Sequence, residues 1–134
     1  MEAEFQKKIH KLISKIIQNS QIDYGDRNSV RKYNRNQDWI RKNFGDHASL
    51  SFEELGELKS LLQHPSSAVR VDVAWSLICW HPLCFDELKK IYRILLACMN
   101  DLNQHQKISY SIGIDLWKKR KVLLCNSYTQ DLEC

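Results

Sequence analysis

Residues 63–82 read Q-H-P-S-S-A-V-R-V-D-V-A-W-S-L-I-C-W-H-P, and this stretch decides the fold of the chain. Pro65 cannot continue a helix and disfavours the helical conformation of the residue before it, so a preceding helix must end there. Ser66 or Ser67 can accept a hydrogen bond from a free backbone N–H at the start of the next helix. Pro82 repeats the stop signal, and the stretch therefore predicts one helix between two His-Pro dipeptides.

The helix between these dipeptides is apolar around about two thirds of its circumference, which is typical of a helix enclosed by neighbours on both sides. At 100° per residue the apolar arc carries Val69, Val71, Val73, Ala74, Trp75, Leu77, Ile78 and Trp80. Only Asp72, Ser76 and Cys79 occupy the remaining arc. The valines would also suit a strand, but the length of the segment and its caps favour a helix. We therefore predict a central, buried helix.

Arg70 lies inside the apolar arc of this helix. A buried cation without a partner costs several kcal/mol, so we expect a carboxylate from a neighbouring helix to face it. Glu53, Glu57 and Asp115 are the candidates. The prediction is a structural ion pair, with a ligand-binding role for Arg70 as the alternative.

Length and composition indicate a single helical domain. A chain of 134 residues forms one domain, and four glycines with two prolines favour helices over a turn-rich sheet protein. No apolar run reaches the length of a membrane span, and the charged first residues are no signal peptide. Five cysteines without paired spacing suit reduced thiols in the cytoplasm. We assign residues 1–121 to the domain and 122–134 to an irregular or disordered tail.

Apolar residues at helical spacing predict five further helices, six in all. They cover residues 2–19 and 27–44, a segment from Ser51 to Pro65, and residues 83–99 and 106–121. Ser51 and Glu54 form a capping box, in which each side chain satisfies a free backbone donor of the other residue. Phe52 in the third helix and Leu96 in the fifth are among the residues predicted to face inward.

The sixth helix repeats the pattern of the central one. Aligning Ile108 with Val69 places Ile112 on Val73, Leu116 on Leu77, Trp117 on Ile78 and Gly113 on Ala74. Each of the two helices follows another helix after a short break, so the repeating unit is a helical hairpin of about 39 residues. Residues 2–44 supply a third, looser pair. The fold class predicted is therefore all-α, with three antiparallel helical hairpins.

The pattern of a helix, a His-Pro stop and then S-S-A-V-R-V-D-V-A-W-S-L resembles the HEAT repeat. The chain up to about residue 120 also resembles a bacterial HEAT-like domain family of unknown function, in G-D-R-N-S-V-R-K-Y-N, in L-L-Q-H-P-S-S-A-V-R and in the late D-L-W-K. The resemblance implies a right-handed HEAT/armadillo-like array of helices. It implies no established activity and therefore no catalytic residues.

The positive charge of the chain is concentrated in its first third. The whole chain carries a net charge of +4, and residues 1–47, with ten Lys/Arg and six Asp/Glu, account for all of it. Trp39 lies off the inward stripe of the second helix, among basic residues. A tryptophan among cations suits a protein-binding hot spot or a base-stacking platform. We predict a partner-binding surface formed by Lys32, Arg35, Trp39 and Lys42; the alternative is that Trp39 covers a neighbouring helix.

Sequence motifs predict no catalytic or metal site in this chain. Cys79, His81 and Cys84 are the only clustered metal-type residues, and they lack the fourth ligand that structural zinc requires. The chain has no glycine-rich phosphate loop, G-x-S-x-G or H-E-x-x-H motif. We therefore expect no enzyme activity, no cofactor and no small-molecule substrate.

These observations favour a non-enzymatic protein-binding domain. The specific hypothesis is an immunity protein that neutralises a toxin of a bacterial competition system, such as contact-dependent growth inhibition, by occluding it. A basic binding surface predicts an acidic contact surface on that toxin. One alternative is a nucleic-acid binder that also uses the K-K-R-K run at residues 118–121. The other is a scaffold subunit that self-associates through exposed apolar surface; no membrane partner is expected.

Overall fold

The computed structural model describes the backbone of residues 3–124 and the side chains of residues 3–119, and this part of the chain is all-helical. A short 3-10 turn, Leu61–Gln63, follows the third helix. The six α-helices are α1 (Ala3–Ser20), α2 (Arg27–Phe44), α3 (Phe52–Ser60), α4 (Ser67–Trp80), α5 (Phe85–Met99) and α6 (Gln104–Leu124). The all-α prediction with six helices is confirmed for these residues. The α6 helix continues through Leu124, three residues into the segment 122–134 that was predicted to be an irregular tail, and the rest of that segment lies outside the described residues.

The helix ends are set by the side chains that the sequence indicated. The Ser66 Oγ accepts a hydrogen bond from the Val69 backbone N–H, and His64 before the proline is extended. Ser51 and Glu54 form both bonds of the capping box at the start of α3. The Asp26 side chain caps α2 by accepting a single hydrogen bond from the backbone N–H of Asn28. The two breaks that enclose α4 are therefore local properties of the sequence.

The α4 helix is the centre of the core, as predicted. It packs against α1, α3 and α5. The buried residues of α4 are Val69, Val71, Val73, Ala74, Ser76, Leu77 and Ile78. Phe44 of α2, Leu12 of α1 and Leu95 of α5 are buried in the same cluster.

Two predicted inward residues instead face solvent. Phe52 is 92% exposed, whereas Leu58 of the same helix is buried. At 100° per residue the two side chains lie about 120° apart, so this short helix cannot bury both against one neighbour. Leu96 is 43% exposed because it lies beside, and not on, the stripe of α5 that carries Leu95.

The α6 helix buries one side only. Ile114 and Trp117 are buried, and the Trp117 ring stacks on Tyr92 of α5 with 6.1 Å between the ring centroids. Three of the residues aligned with buried positions of α4 face outward instead: Ile108, Ile112 and Leu116 are 50% to 62% exposed, whereas Trp117, aligned with the buried Ile78, is buried as well. The repeat in sequence is therefore not a repeat in burial, and the hairpin array stays a prediction. None of the described helices combines the length and the apolar character that a membrane span needs.

Candidate functional site

A cluster of cations surrounds Trp39 on the adjoining helices α1 and α2. The Lys11 and Lys15 ammonium nitrogens lie 5.1 and 5.4 Å from the centroid of the Trp39 ring. Burial lowers the pKa of Lys15, and the neighbouring charges of Lys11, Lys32 and Arg35 lower it further, so these four cations lie close together. We call this surface the basic face and define it as Lys11, Lys15, Lys32, Arg35, Trp39 and Lys42.

Trp39 takes part in both the core and this surface. Its side chain is half-buried and packs against the core, with 5.9 Å between its ring centroid and that of Phe44. The lysines of α1 lie over the ring and supply cation–π attraction, which contributes about 0.5–1 kcal/mol at exposed sites. Trp39 therefore packs on the core, as one of its two predicted roles requires, and its contact with a partner stays a prediction.

The positive charge of the basic face is not neutralised within the described part of the protein. Among residues 3–119, the Lys and Arg side chains that form ion pairs with carboxylates are Arg41 with Asp46 and Lys59 with Glu87. Neither pair includes a member of the basic face. Lys15 instead donates a hydrogen bond of 3.0 Å to the amide oxygen of Asn36. Lys42 lines a separate pocket together with Lys8 and Glu54.

The ion pair predicted for Arg70 is wrong: in the described part of the chain its guanidinium meets no carboxylate. It donates to the backbone oxygens of His64 (2.7 Å) and Pro65 (3.1 Å) and to the Cys98 Sγ (3.2 Å). A fourth bond reaches the Ser67 Oγ at 2.9 Å. The turn before α4 supplies neutral acceptors for the guanidinium donors, and half-burial leaves the charge partly hydrated, so no carboxylate is required.

A polar pocket of about 190 Å³ lies on the side of α4 that carries Asp72. We call it the Asp72 pocket. Its aromatic walls come from α2, α4 and α6 and from the loop after α1: Tyr24, Tyr33, Trp75, Trp80 and Tyr110. Asn19, Ser20, Gln37, Ser76, Gln106 and Ser109 add polar groups, and Ile16, Ala68 and Leu102 complete the lining.

Asp72 is the single charged residue in the lining of this pocket. Burial raises its pKa to about 7, because no described cation compensates for the lost hydration. Burial also raises the pKa of Tyr33 and of Tyr110, and the charge of Asp72 adds to both shifts. The phenols therefore stay neutral at physiological pH while the carboxyl group changes its charge near pH 7.

A chain of amide hydrogen bonds orients one further polar group at the pocket. The Lys15 ammonium can only donate, so it fixes the side-chain oxygen of Asn36 toward itself and directs the Asn36 Nδ2 toward Asn19. That Nδ2 donates 3.0 Å to the Asn19 Oδ1. The Asn19 Nδ2 remains without a hydrogen-bond partner although the residue is only 6% exposed. A buried donor of this kind costs about 1–3 kcal/mol until something accepts from it.

Substitution of Asp72 by Asn is expected to stabilise the protein at about pH 8 by about 4 kcal/mol and to change little at about pH 4. The folded-state pKa lies above the ordinary 3.8, so the native state binds more protons and wild-type stability at this site falls as pH rises from 4 to 7. Asparagine cannot ionise and does not incur this loss. Urea unfolding of both proteins across this pH range measures the difference; a gain that is equal at both ends would contradict the assignment.

Of the partner-binding residues predicted from the sequence, Lys32 and Arg35 lie near Lys15, which lies over Trp39. Their binding role stays a prediction, and the pocket was not predicted. Asp72 and Ser76 lie on the arc of α4 that the sequence pattern leaves without apolar residues. The signal for the pocket in the sequence was Asp72, a carboxylate in a largely apolar helix. Because the meeting of α1, α2, α4 and α6 at this point is a tertiary property, helix periodicity could not show it.

The Cys79, His81 and Cys84 trio does not converge on one point. The His81 Nε2 lies 2.6 Å from the carbonyl oxygen of Phe44 and donates to it, which links the ends of α2 and α4. Cys84 is exposed at the start of α5, and Cys79 is half-buried. Among the residues that the structure describes, no group of three or more metal-type side chains is close enough to bind an ion.

Comparisons with protein-family models, with curated proteins and with solved structures found no match to this chain.

Proposed function

We propose that this protein is a non-enzymatic binding domain whose basic face engages an acidic surface on a partner protein. The uncompensated positive charge around Trp39 supports this proposal most directly. Four cations repel one another there at a distance that lowers the pKa of Lys15, and a carboxylate-rich partner would relieve that repulsion. The half-buried indole provides a fixed apolar centre between them, and tryptophan and arginine are enriched at binding hot spots.

The specific form of the proposal is an immunity protein. In that role the HEAT-like array of helices would act stoichiometrically, with the basic face covering the active site or substrate groove of a bacterial toxin domain. Occlusion of this kind requires a rigid surface and no reacting group. The packing of Trp39 on the core through Phe44 provides such rigidity, because the indole is held by the fold before a partner arrives.

Nucleic acid is the second candidate for the basic face, and the environment of Trp39 argues against it. A base-stacking platform needs an open aromatic face. Here the ring is half-buried and has two lysine ammonium groups within 5.4 Å of its centroid. Lys118, from the second basic run, lies over the Tyr92 ring at 5.6 Å, and the side chains of residues 120 and 121 lie outside the described part.

Reversal of two charges on α2, Lys32→Glu with Arg35→Glu, is expected to weaken partner binding at least tenfold, about 1.4 kcal/mol. The matched control reverses two exposed charges of α5, Lys90→Glu with Arg93→Glu, and changes the net charge equally. Affinity capture from the native source, with quantified bound proteins and nucleic acids, compares the three forms. Both variants should unfold within about 1 kcal/mol of the wild type, since all four sites are exposed.

Three results of this comparison would overturn the proposal. Equal capture by the α2 variant and the wild type would show that the basic face is not used. Equal loss in both variants would show a nonspecific charge effect. Recovery of nucleic acid, with binding that declines steeply as salt increases, would support the second candidate instead.

A further inference from the structure

We propose that the Asp72 pocket is a binding site for a small organic cation, an ammonium group that carries an oxygen acceptor. The site is separate from the surface used in the proposed function, and neither proposal depends on the other. Three features of the pocket support it: an unpaired carboxylate, aromatic walls, and a buried amide donor without a partner.

The carboxylate selects for positive charge. Asp72 is half-buried in a lining that contains no lysine, arginine or histidine. Its carboxylate has no ion pair among the described residues, where the ion-paired carboxylates are Asp46 and Glu87. A cationic ligand would replace the hydration that burial removes, and an anionic ligand would be repelled.

The walls of the pocket favour an alkylated ammonium over a small inorganic cation. The Trp75 and Tyr110 rings meet edge to face, with 6.5 Å between their centroids, and Tyr24, Tyr33 and Trp80 line the same space. Aromatic faces attract organic cations through the ring quadrupole, and cages of such rings bind quaternary ammonium groups. Protein sites for Ca²⁺ usually combine several carboxylates, whereas this lining has one carboxylate and otherwise neutral groups.

The amide donor selects for an oxygen on the ligand. Asn19 lines this pocket and also a neighbouring cavity beside Asn36, and its Nδ2 is the buried side-chain polar atom that lacks a partner among the described residues. Its orientation is fixed by Asn36 and Lys15, so the donor cannot be removed by rotation of the amide. Tyr33 adds a second donor: its oxygen accepts from the Gln37 Nε2 at 3.1 Å, which leaves its hydroxyl proton available. A hydroxyl or carbonyl oxygen near the ammonium would accept these bonds.

The size and closure of the pocket suit a small molecule. Its volume of about 190 Å³ is far above the ~15 Å³ that one water needs and below the usual range of drug-sized sites. Gln106 closes one side through a 3.2 Å bond from its Nε2 to the Ser20 backbone oxygen. Tyr24 is 53% exposed at the rim, with the His105 ring 5.4 Å from its own. The rim therefore gives access from solvent.

Choline and its neutral isostere, in which a quaternary carbon replaces the nitrogen, provide the direct test. The two probes share shape and hydroxyl group and differ in charge. Calorimetric titration of the full chain at about pH 8, with tryptophan fluorescence as a second signal from Trp75 and Trp80, measures both affinities. We expect choline to bind at least tenfold more tightly than the isostere.

The variant Asp72→Asn should reduce choline affinity at least tenfold and remove the preference over the isostere. Asp115→Asn removes the same charge from an exposed position of α6 and should leave binding unchanged. Tyr24→Ala, at the rim, should weaken choline binding by several-fold without disturbing the core. Thermal unfolding of each variant confirms that it is folded at the titration temperature.

Choline binding should also weaken as pH falls below 7, because the protonated Asp72 has no charge. The other titratable groups at the pocket are Tyr24, Tyr33 and Tyr110, with His105 at the rim; a His105→Gln variant removes the imidazole contribution. The pH dependence should persist in that variant and vanish in Asp72→Asn. Equal affinity for choline and the isostere, binding unaffected by Asp72→Asn, or no binding of either probe would each overturn the proposal.

Discussion

Replacement of Leu77 by alanine is expected to lower the free energy of unfolding by about 3 kcal/mol, within the 2–5 kcal/mol range of fully buried Leu→Ala changes. Leu77 is 0% exposed at the centre of α4, which packs against three neighbouring helices. The loss combines the removed apolar surface with the cavity that rigid neighbours leave behind. Urea unfolding followed by circular dichroism measures it.

The matched control is Leu116→Ala in α6. The internal repeat aligns Leu116 with Leu77, but Leu116 is 62% exposed, so the same change should alter stability by less than about 1 kcal/mol. The pair therefore tests whether burial or sequence position governs the effect. Equal losses at the two sites would mean that the outer side of α6 is covered in solution.

Replacement of Gly45 by alanine is expected to destabilise the protein by about 2 kcal/mol. A Cβ at this position would lie 2.8 Å from the Arg41 Cα, 3.0 Å from the Arg41 backbone oxygen and 3.0 Å from the Trp80 Cε3. Two of these three atoms belong to the backbone at the end of α2, so they cannot move away as a flexible side chain would. Relief of the clash would shift the end of α2 relative to α4, where His81 also bonds to Phe44.

Gly56 supplies a control with the opposite expected sign. It lies inside α3, and a Cβ built there meets nothing within 4 Å. Alanine should therefore stabilise the protein by about 1 kcal/mol, the usual difference between these residues in a helix interior. Thermal and urea unfolding of both variants should give changes of opposite sign; stabilisation by Gly45→Ala would contradict the close approach of α2 and α4.

The fold was predictable where local chemistry determines it. Pro65, Pro82 and the Ser51 capping box act within a few residues of themselves, so helix ends follow directly from the sequence. The burial of α4 followed because its apolar arc is too wide for a surface helix. Tertiary contacts were harder to predict from the sequence. Arg70 donates to backbone oxygens of the turn before α4, and a search for oppositely charged side chains does not identify such acceptors.

The candidate sites were predictable to different degrees for the same reason. The basic face follows from residues spaced along one helix, and α1 merely adds lysines to it. The Asp72 pocket depends on residues from four helices and two loops, and most of them have no distinctive position in the pattern of their own helix. The α4 pattern also repeats in the sequence of α6. The repeat did not predict burial, because α6 is covered on one side only.

Lys15 belongs to the basic face and also holds the amide chain that ends at the Asp72 pocket. An acidic group that drew the ammonium away from Asn36 would leave the Asn36 amide held only through its Nδ2, by the Gln18 Oε1 and the Asn19 Oδ1, and would weaken the constraint on the Asn19 amide. By thermodynamic linkage, a ligand at one site that changes the affinity of the second site by some factor has its own affinity changed by the same factor when the second site is filled. Binding at the basic face would thus alter binding at the Asp72 pocket through the side chains of Lys15, Asn36 and Asn19, with no movement of the helices required.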